Sequence, residues 1–256
     1  MSERWGRVWY ADRAWSCRIE EDQALLCEGD WLTDAGRVVQ SVPLIDVQWL
    51  SPVAARTVLC VGRNYREHAA EFDNPVPAEP LFFLKPPGSV IGHQQPVSRP
   101  DWVGRVDYEG ELVLVIGKPV RRLESPERAR EAILGLTVGN DVTARELQRR
   151  DGQWTRAKGF DSFAPVGPWV VLGNHTEGRR ITTRVNGTVR QDASTDDLIF
   201  SCERLIMDAS QFMTLERGDL LFTGTPAGVG PVEVGDTVEI SVEGVGTLSN
   251  SIKNGD

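Results

Sequence analysis

Residues 106–116, Val-Asp-Tyr-Glu-Gly-Glu-Leu-Val-Leu-Val-Ile, constrain this chain more than any other stretch. Beyond Glu111 the run is uninterruptedly apolar, as in a strand buried on both faces, and the span reads as the longest strand of the molecule. Alternate residues of a strand share a face, which puts Glu109 and Glu111 side by side with Cα atoms roughly 6.5–7 Å apart. Two ionised carboxylates at the entry to a core strand repel one another and lose hydration, and burying even one without a partner is expensive. Solvent exposure, basic partners or a cation between them would each relieve the conflict, and the two residues alone leave all three open.

A third carboxylate can complete a cation site. Residues 133–140 read as another apolar strand, and Asp141 sits at its end. A Glu-x-Glu pair with one Asp supplies only oxygen ligands, which suits Mg²⁺ first, with Mn²⁺ or Ca²⁺ as alternatives. Magnesium held by so few protein groups keeps water-filled positions where a substrate can chelate. With three histidines and four scattered cysteines, a mixed zinc centre is poorly supplied.

The rest of the chain alternates short strands with few helices. Before Pro52, strand-like pieces such as Arg7-Val8-Trp9-Tyr10 and Ala24-Leu25-Leu26-Cys27 are separated by turns and carry five of the eight tryptophans. A small β subdomain over 1–52 is expected, followed by a larger domain over 53–256, with the tryptophans building the small core. Thr57–Val61 and Leu81–Leu84 read as strands, with a short polar helix over 66–72 and a Pro-rich segment over 74–80 between them. Ser125-Pro126-Glu127 opens a helix running to about Leu134. Thr143 and Glu146 form a capping-box pattern that opens another, ending near Gly152. A third is expected over 199–213. Asn186-Gly187 signals a hairpin, and Glu216–Asp219 and Glu233–Asp236 are acidic turns that each open a strand. Strands outnumber helices without βαβ alternation, so the expected class is α+β, mainly β, rather than a doubly wound sheet.

Composition excludes several functions. The chain has 256 residues, 40% apolar and 25% charged, which are globular proportions. A formal net charge of −9 without a basic stretch argues against nucleic acid as a partner. No apolar run reaches membrane-spanning length, and the N-terminus carries no apolar run of signal-peptide length, so a cytoplasmic protein with reduced, buried thiols is expected.

From Val58 to Pro231 the sequence resembles the fumarylacetoacetate hydrolase family. The resemblance rests on Val61-Gly62-Arg63-Asn64-Tyr65 with His68 and Glu71, Phe83-Leu84-Lys85-Pro86-Pro87, Asp107-Tyr108-Glu109-Gly110-Glu111, and Asn140-Asp141-Val142-Thr143-Ala144-Arg145 with Gln148. It continues through Lys158–Pro165, Val185-Asn186-Gly187 and Gly218–Gly230, all in the family's order. The resemblance implies a mixed β-roll, usually homodimeric, with Glu109, Glu111 and Asp141 as ligands of Mg²⁺ or Mn²⁺. It also implies Lys158 beside the metal, and His68 with Glu71 on a mobile lid.

The chemistry so implied is that of a small 2-oxo or 2,4-dioxo acid gripped by the cation through its carboxylate and neighbouring oxygen, which stabilises an enolate. His68 and Glu71, spaced i, i+3 on a short helix, can meet, and His68 would activate a water. Gln148, Thr223, Gly224 and Thr225 are candidates for holding substrate, with Arg63 and Tyr65 near the lid. Lys85 reads equally as a solvated strand end, and His93 has no assigned role. Hydrolysis of an acylpyruvate-type C–C bond is the leading reaction. Isomerisation of 2-hydroxyhepta-2,4-diene-1,7-dioate and decarboxylation or tautomerisation of oxaloacetate are the alternatives. A different class, a Ca²⁺-dependent β-rich binding module that recognises ligand through its tryptophans, predicts metal-dependent binding without turnover.

Overall fold

In a computed structural model that describes residues 2–34, 36–71 and 76–255, the chain is mainly β with a few short helices. Its largest sheet is twelve-stranded. Its path runs through Val38–Pro43, Gln23–Cys27, Arg13–Glu20, Arg4–Tyr10, Ala164–Leu172, Ile133–Asn140, Gly110–Ile116, Leu220–Phe222, Val58–Gly62 and Leu81–Lys85. Most neighbours are antiparallel, but Leu220–Phe222 runs parallel to Val58–Gly62, so the sheet is mixed. A five-stranded sheet orders Thr188–Ser194, Arg180–Val185, Thr237–Val242, Gly246–Gly255 and Val97–Pro100. The α+β, mainly β class expected from the sequence is the observed one.

The main core lies where the sheets pack on one another. Leu112, Leu114 and Ile116 belong to the same buried cluster as Ile181, Ile240, Leu248 and Ile252 of the five-stranded sheet. Alternate residues of the Gly110–Ile116 strand, Val113 and Val115, pack instead with Val58, Cys60, Val166 and Phe222. Both faces of this strand are therefore dry, which is why its sequence is an unbroken apolar run.

Within the first fifty residues, Val8, Cys17, Ile19, Ala24, Leu26, Val42 and Trp49 form a cluster of their own. The Arg4–Tyr10 strand also pairs with Ala164–Leu172, Trp5 lying opposite Val170, so hydrogen bonds carry the large sheet across into the later residues. Trp5 and Trp31 stack with centroids 6.1 Å apart, and Trp49 packs against Trp169 at 5.9 Å. These rings are core; among the five early tryptophans only Trp9 is largely exposed.

Several local expectations are corrected. The long strand expected over 106–116 is two: Val106–Tyr108 belongs to a three-stranded sheet, and Gly110–Ile116 to the twelve-stranded one. The break falls at Glu109. The helix opened by Ser125 covers Pro126–Glu131 only, because Ile133 already pairs with Ile116. No capping box forms at Thr143: it lies in a short strand opposite Asp107, its hydroxyl donates to the Asp141 carbonyl, and the helix Arg145–Asp151 starts after Ala144. The last helix is Cys202–Phe212, capped by Ser201. The Asn186-Gly187 hairpin forms as expected, with φ of 50° and 78° at its two turn residues. The early helix spans Arg66–Glu71; residues 72–75, where the helix end and the start of the Pro-rich segment were expected, lie outside the described residues.

Candidate active site

The strand break delivers the carboxylates. Gly110 pairs with Asn140 and Glu111 with Gly139, so the chain just beyond Asn140 returns beside Glu109. The Asp141 amide donates to the Glu109 carbonyl at 2.9 Å, and the Asn140 side chain accepts from the Glu109 amide at 2.9 Å. Gly110 has no room for a side chain: a Cβ there would lie 2.2 Å from Thr183 Oγ1. The chain crosses from one sheet to the other at Glu109, just before this glycine, and Glu109 and Glu111 are both buried there. Carboxylate oxygens of Glu109, Glu111 and Asp141 consequently lie within 4.8 Å of one another, all three side chains buried.

Cations surround two of the three. Lys158, from the single helical turn Thr155–Lys158, reaches Glu109 Oε2 at 2.8 Å and also bonds Asp141 Oδ2. Arg145 Nε donates to Asp107 Oδ2 at 2.7 Å, while its Nη2 donates to Glu109 and its Nη1 to Gln148 Oε1 at 2.9 Å. Burial pushes the Glu109 carboxyl up, but Lys158, Arg145 and His68 outweigh it and hold the group below the usual carboxylate range. Asp141 also binds Lys85, whose Nζ is 2.5 Å from Oδ1. Lys85 is thus not a solvated strand end; it is 1% exposed. Burial lowers its pKa against the pull of Asp141, whereas at Lys158 the attraction of Asp141 and Glu109 overcomes burial and raises it.

Glu111 differs. Its carboxylate accepts from the Gly224 amide at 2.7 Å, and burial, reinforced by Asp141 and Glu109, drives its pKa well above the ordinary value. Glu111 is thus the member of the cluster with no ion pair among the described residues, a buried carboxylate facing two others with one backbone N–H bonded to it. Three oxygen donors at this spacing fit a hard divalent cation.

A cavity of about 310 Å³ opens beside these groups. Of the residues singled out from sequence, Arg63, His68, Glu109, Glu111, Gln148, Lys158 and Thr225 line it. His68 Nδ1 lies 3.2 Å from Glu71 Oε2 on the i, i+3 spacing. Burial lowers the His68 pKa, opposed by Glu109 and Glu71, which favours the neutral ring. Tyr65 and Thr223 are not brought into this cavity. Tyr65 is buried on another side, beside Pro226 and Ala227, and Thr223 spends its hydroxyl on the Leu112 carbonyl at 2.9 Å. Thr225 donates to the Gly110 carbonyl at 3.0 Å, so its hydroxyl braces the strand break.

Arg145, Arg149 and Trp154 also line the cavity; Arg145 closes the family-like segment Asn140–Arg145 but had no role assigned, and nothing in the sequence pattern marked the other two. Trp154 packs edge-on against Phe83, centroids 5.2 Å apart, and closes one wall.

The comparisons with known proteins agree with this geometry. The model of the fumarylacetoacetate hydrolase C-terminal domain family matches residues 57–253. A crystal structure of 2-hydroxyhepta-2,4-diene-1,7-dioate isomerase from Mycobacterium marinum is 42% identical, covers 99% of each chain and superposes with a TM-score of 0.91. Oxaloacetate tautomerase YisK of Bacillus subtilis is 39% identical over 86% of this chain and 77% of its own. Fumarylpyruvate hydrolase from Pseudomonas aeruginosa, in complex with Mn²⁺ and pyruvate, is 36% identical over 84% of this chain and 92% of its own, with a TM-score of 0.73. These relatives are an isomerase, a tautomerase and a hydrolase, and the present chain belongs to the same family of enzymes, the fumarylacetoacetate hydrolase family.

Proposed function

We propose that this protein is a divalent-metal-dependent enzyme that hydrolyses a C–C bond in a small 2,4-dioxo acid of the acylpyruvate type. The observation that carries the reading is the meeting, in one cavity, of a buried carboxylate cluster with a histidine backed by a glutamate. Mg²⁺ or Mn²⁺ held by Glu109, Glu111 and Asp141 would supply Lewis-acid chemistry, lowering the free energy of negative charge on the 2-oxo oxygen.

The protein's own groups would do the rest. Lys158 adds a positive charge at the same place, held there by Glu109 and Asp141. The neutral His68 ring, with Nδ1 against Glu71, accepts a proton at its other nitrogen from a water aimed at the distal carbonyl. Addition of that water and cleavage of the adjoining C–C bond leave the electron pair on the 2-oxo fragment, where a proton returned by His68 completes the product. Gln148, whose Oε1 accepts from Arg145, would bind the substrate through its amide.

A second reading is isomerisation or keto–enol tautomerisation of a 2-oxo acid, supported by the isomerase and the tautomerase among the relatives. It uses the same His68 to move a proton without adding water; oxaloacetate decarboxylation is a variant of the same electron flow. A panel of 2-oxo and 2,4-dioxo acids with Mg²⁺ or Mn²⁺, followed by enol absorbance and mass spectrometry in H₂¹⁸O, separates these. Hydrolysis yields two fragments, one carrying ¹⁸O; conversion at constant mass overturns hydrolysis in favour of isomerisation. Loss of all conversion in Glu109→Gln with the fold retained counts against a pure binding module. The homodimer remains part of this proposal, and light scattering of the purified protein tests it.

A further inference from the structure

The strand Thr188–Ser194 lies at the edge of the five-stranded sheet, and its one fully buried residue is polar: Gln191, 1% exposed among half-buried and exposed neighbours. An apolar side chain is the usual choice for such an inward position. The strand is also irregular there. Thr183 faces Gln191 and Arg184 faces Val189, so Arg190 is an extra residue, a bulge of the kind that re-aims a side chain. The Arg190 carbonyl lies against Gly228, where a Cβ would come within 2.1 Å, so this edge is pressed onto the segment that follows Phe222.

The Gln191 amide is fully used. Its Oε1 accepts from the Gly110 amide at 3.0 Å, and its Nε2 donates to Thr225 Oγ1 and to the Pro226 carbonyl, each at 2.8 Å. Gly110 is the residue between Glu109 and Glu111, and its own carbonyl accepts from the Thr225 hydroxyl. Gly224, next to Thr225, gives Glu111 its backbone hydrogen bond. A second buried amide fixes the start of this turn: Asn64 Nδ2 donates to the Thr223 carbonyl at 2.8 Å. Gln191 therefore ties the backbone between two of the carboxylates to the turn that meets the Glu111 carboxylate. A backbone N–H needs an acceptor and a carbonyl needs a donor, so a carboxamide is the side chain that serves these partners together.

We propose that Gln191 is a positioning residue of the carboxylate cluster, holding Glu111 and the 223–226 turn in the arrangement that binds a divalent cation. The inference rests on the reading of Glu109, Glu111 and Asp141 as a metal site. Gln191 itself does not line the cavity, so it acts only through the groups it holds. Glu111 is the ligand that needs such support. Glu109 and Asp141 are oriented by lysine and arginine partners, whereas the Glu111 carboxylate is oriented by the Gly224 amide. Loss of a group that orients a ligand lowers metal affinity by roughly 10- to 100-fold.

The test measures Mn²⁺ affinity by electron paramagnetic resonance titration of the wild type, Gln191→Met, Gln191→Asn and Asn250→Leu. Met removes the hydrogen bonds at similar volume; Asn keeps the amide one methylene short and carries the comparison should Gln191→Met not fold. Asn250 is the control, an equally buried amide of the same sheet that bonds the Gly92 and Gln95 carbonyls and neither the cluster nor the turn. Both Gln191 variants are expected to bind Mn²⁺ roughly 10-fold or more weakly and to alter the spectrum of the bound ion. Asn250→Leu should lose stability in urea yet bind as the wild type does. Wild-type affinity in a folded Gln191 variant, or an equal loss in Asn250→Leu, overturns the positioning role and leaves the metal site standing. A wild type that binds no Mn²⁺ overturns the metal site and the positioning role with it.

Discussion

Lys85 Nζ lies 2.5 Å from Asp141 Oδ1, and both side chains are sealed from solvent. Asp141 thus holds two ammonium groups, Lys85 on one oxygen and Lys158 on the other. Lys85 comes from the last residue of an edge strand and Lys158 from a single helical turn, so this one carboxylate ties together three remote parts of the chain.

Breaking that pair should be destructive. Lys85→Met removes the charge and most nearly preserves the volume, leaving Asp141 short of a partner, and is expected to destabilise the protein by about 3–5 kcal/mol. Urea unfolding measures it. Saturating Mn²⁺ should restore more stability to this variant than it adds to the wild type, because a cation at the cluster supplies the missing charge.

Glu111 should behave in the opposite sense. Without metal its buried carboxyl faces Glu109 and Asp141, which together with burial push its pKa well up. Glu111→Gln is therefore expected to leave the metal-free protein as stable as the wild type or more so, while abolishing the rise in melting temperature on adding Mn²⁺. A variant that loses stability without metal yet keeps the Mn²⁺ response would refute Glu111 as a ligand.

If His68 is the base of the proposed reaction, the His68–Glu71 pair should set the acid side of the activity profile. Burial holds the His68 pKa below 6.5, against the opposing pull of Glu109 and Glu71, so the basic ring is the form present at neutral pH. Activity should then be full above that pKa and fall only as pH drops through it. Glu71→Gln removes one of the groups that raise the pKa and should move the acid limb to lower pH. His68→Asn should reduce kcat about 10²- to 10⁴-fold while Mn²⁺ affinity is retained.

His93 makes a prediction about stability instead. It packs edge-on against Trp49 at 5.6 Å, and its Nδ1 accepts from the Ser249 amide at 3.0 Å. Burial takes its pKa down to about 4 from 6.5. The unfolded chain therefore binds this proton first: stability is intact above pH 6.5, declines as pH falls from there toward 4, and loses no more from this group below that. Urea midpoints measured across pH 4 to 7 should show this decline, and His93→Gln should flatten it.

Much of the site was legible because its signals are local. The Glu-x-Glu spacing announces two carboxylates on one course, an aspartate closing an apolar strand announces a third, and His68 with Glu71 are helical neighbours. The capping pattern at Thr143 misled because strand pairing with Asp107 claimed that residue before a helix could start. Lys85 was ambiguous because the same lysine at a strand end is solvated or buried according to what packs over it. Trp154 left no local trace and Arg145 showed only as part of a family-like segment without a role, since their partners are Asp107, Glu109 and Phe83, which the fold alone makes neighbours.

By itself the sequence determined the class of fold, several of its strands, and three oxygen donors where an apolar strand begins and another ends. Those features follow from residue type and spacing over a few positions. Only the tertiary structure decided that the expected long strand breaks at Glu109, that Asp141 is clasped by two lysines, and that Arg63 and Arg149 border the same cavity. Burial and pairing depend on segments far apart in sequence, and the free energy of a charged group is set by what surrounds it rather than by what it is.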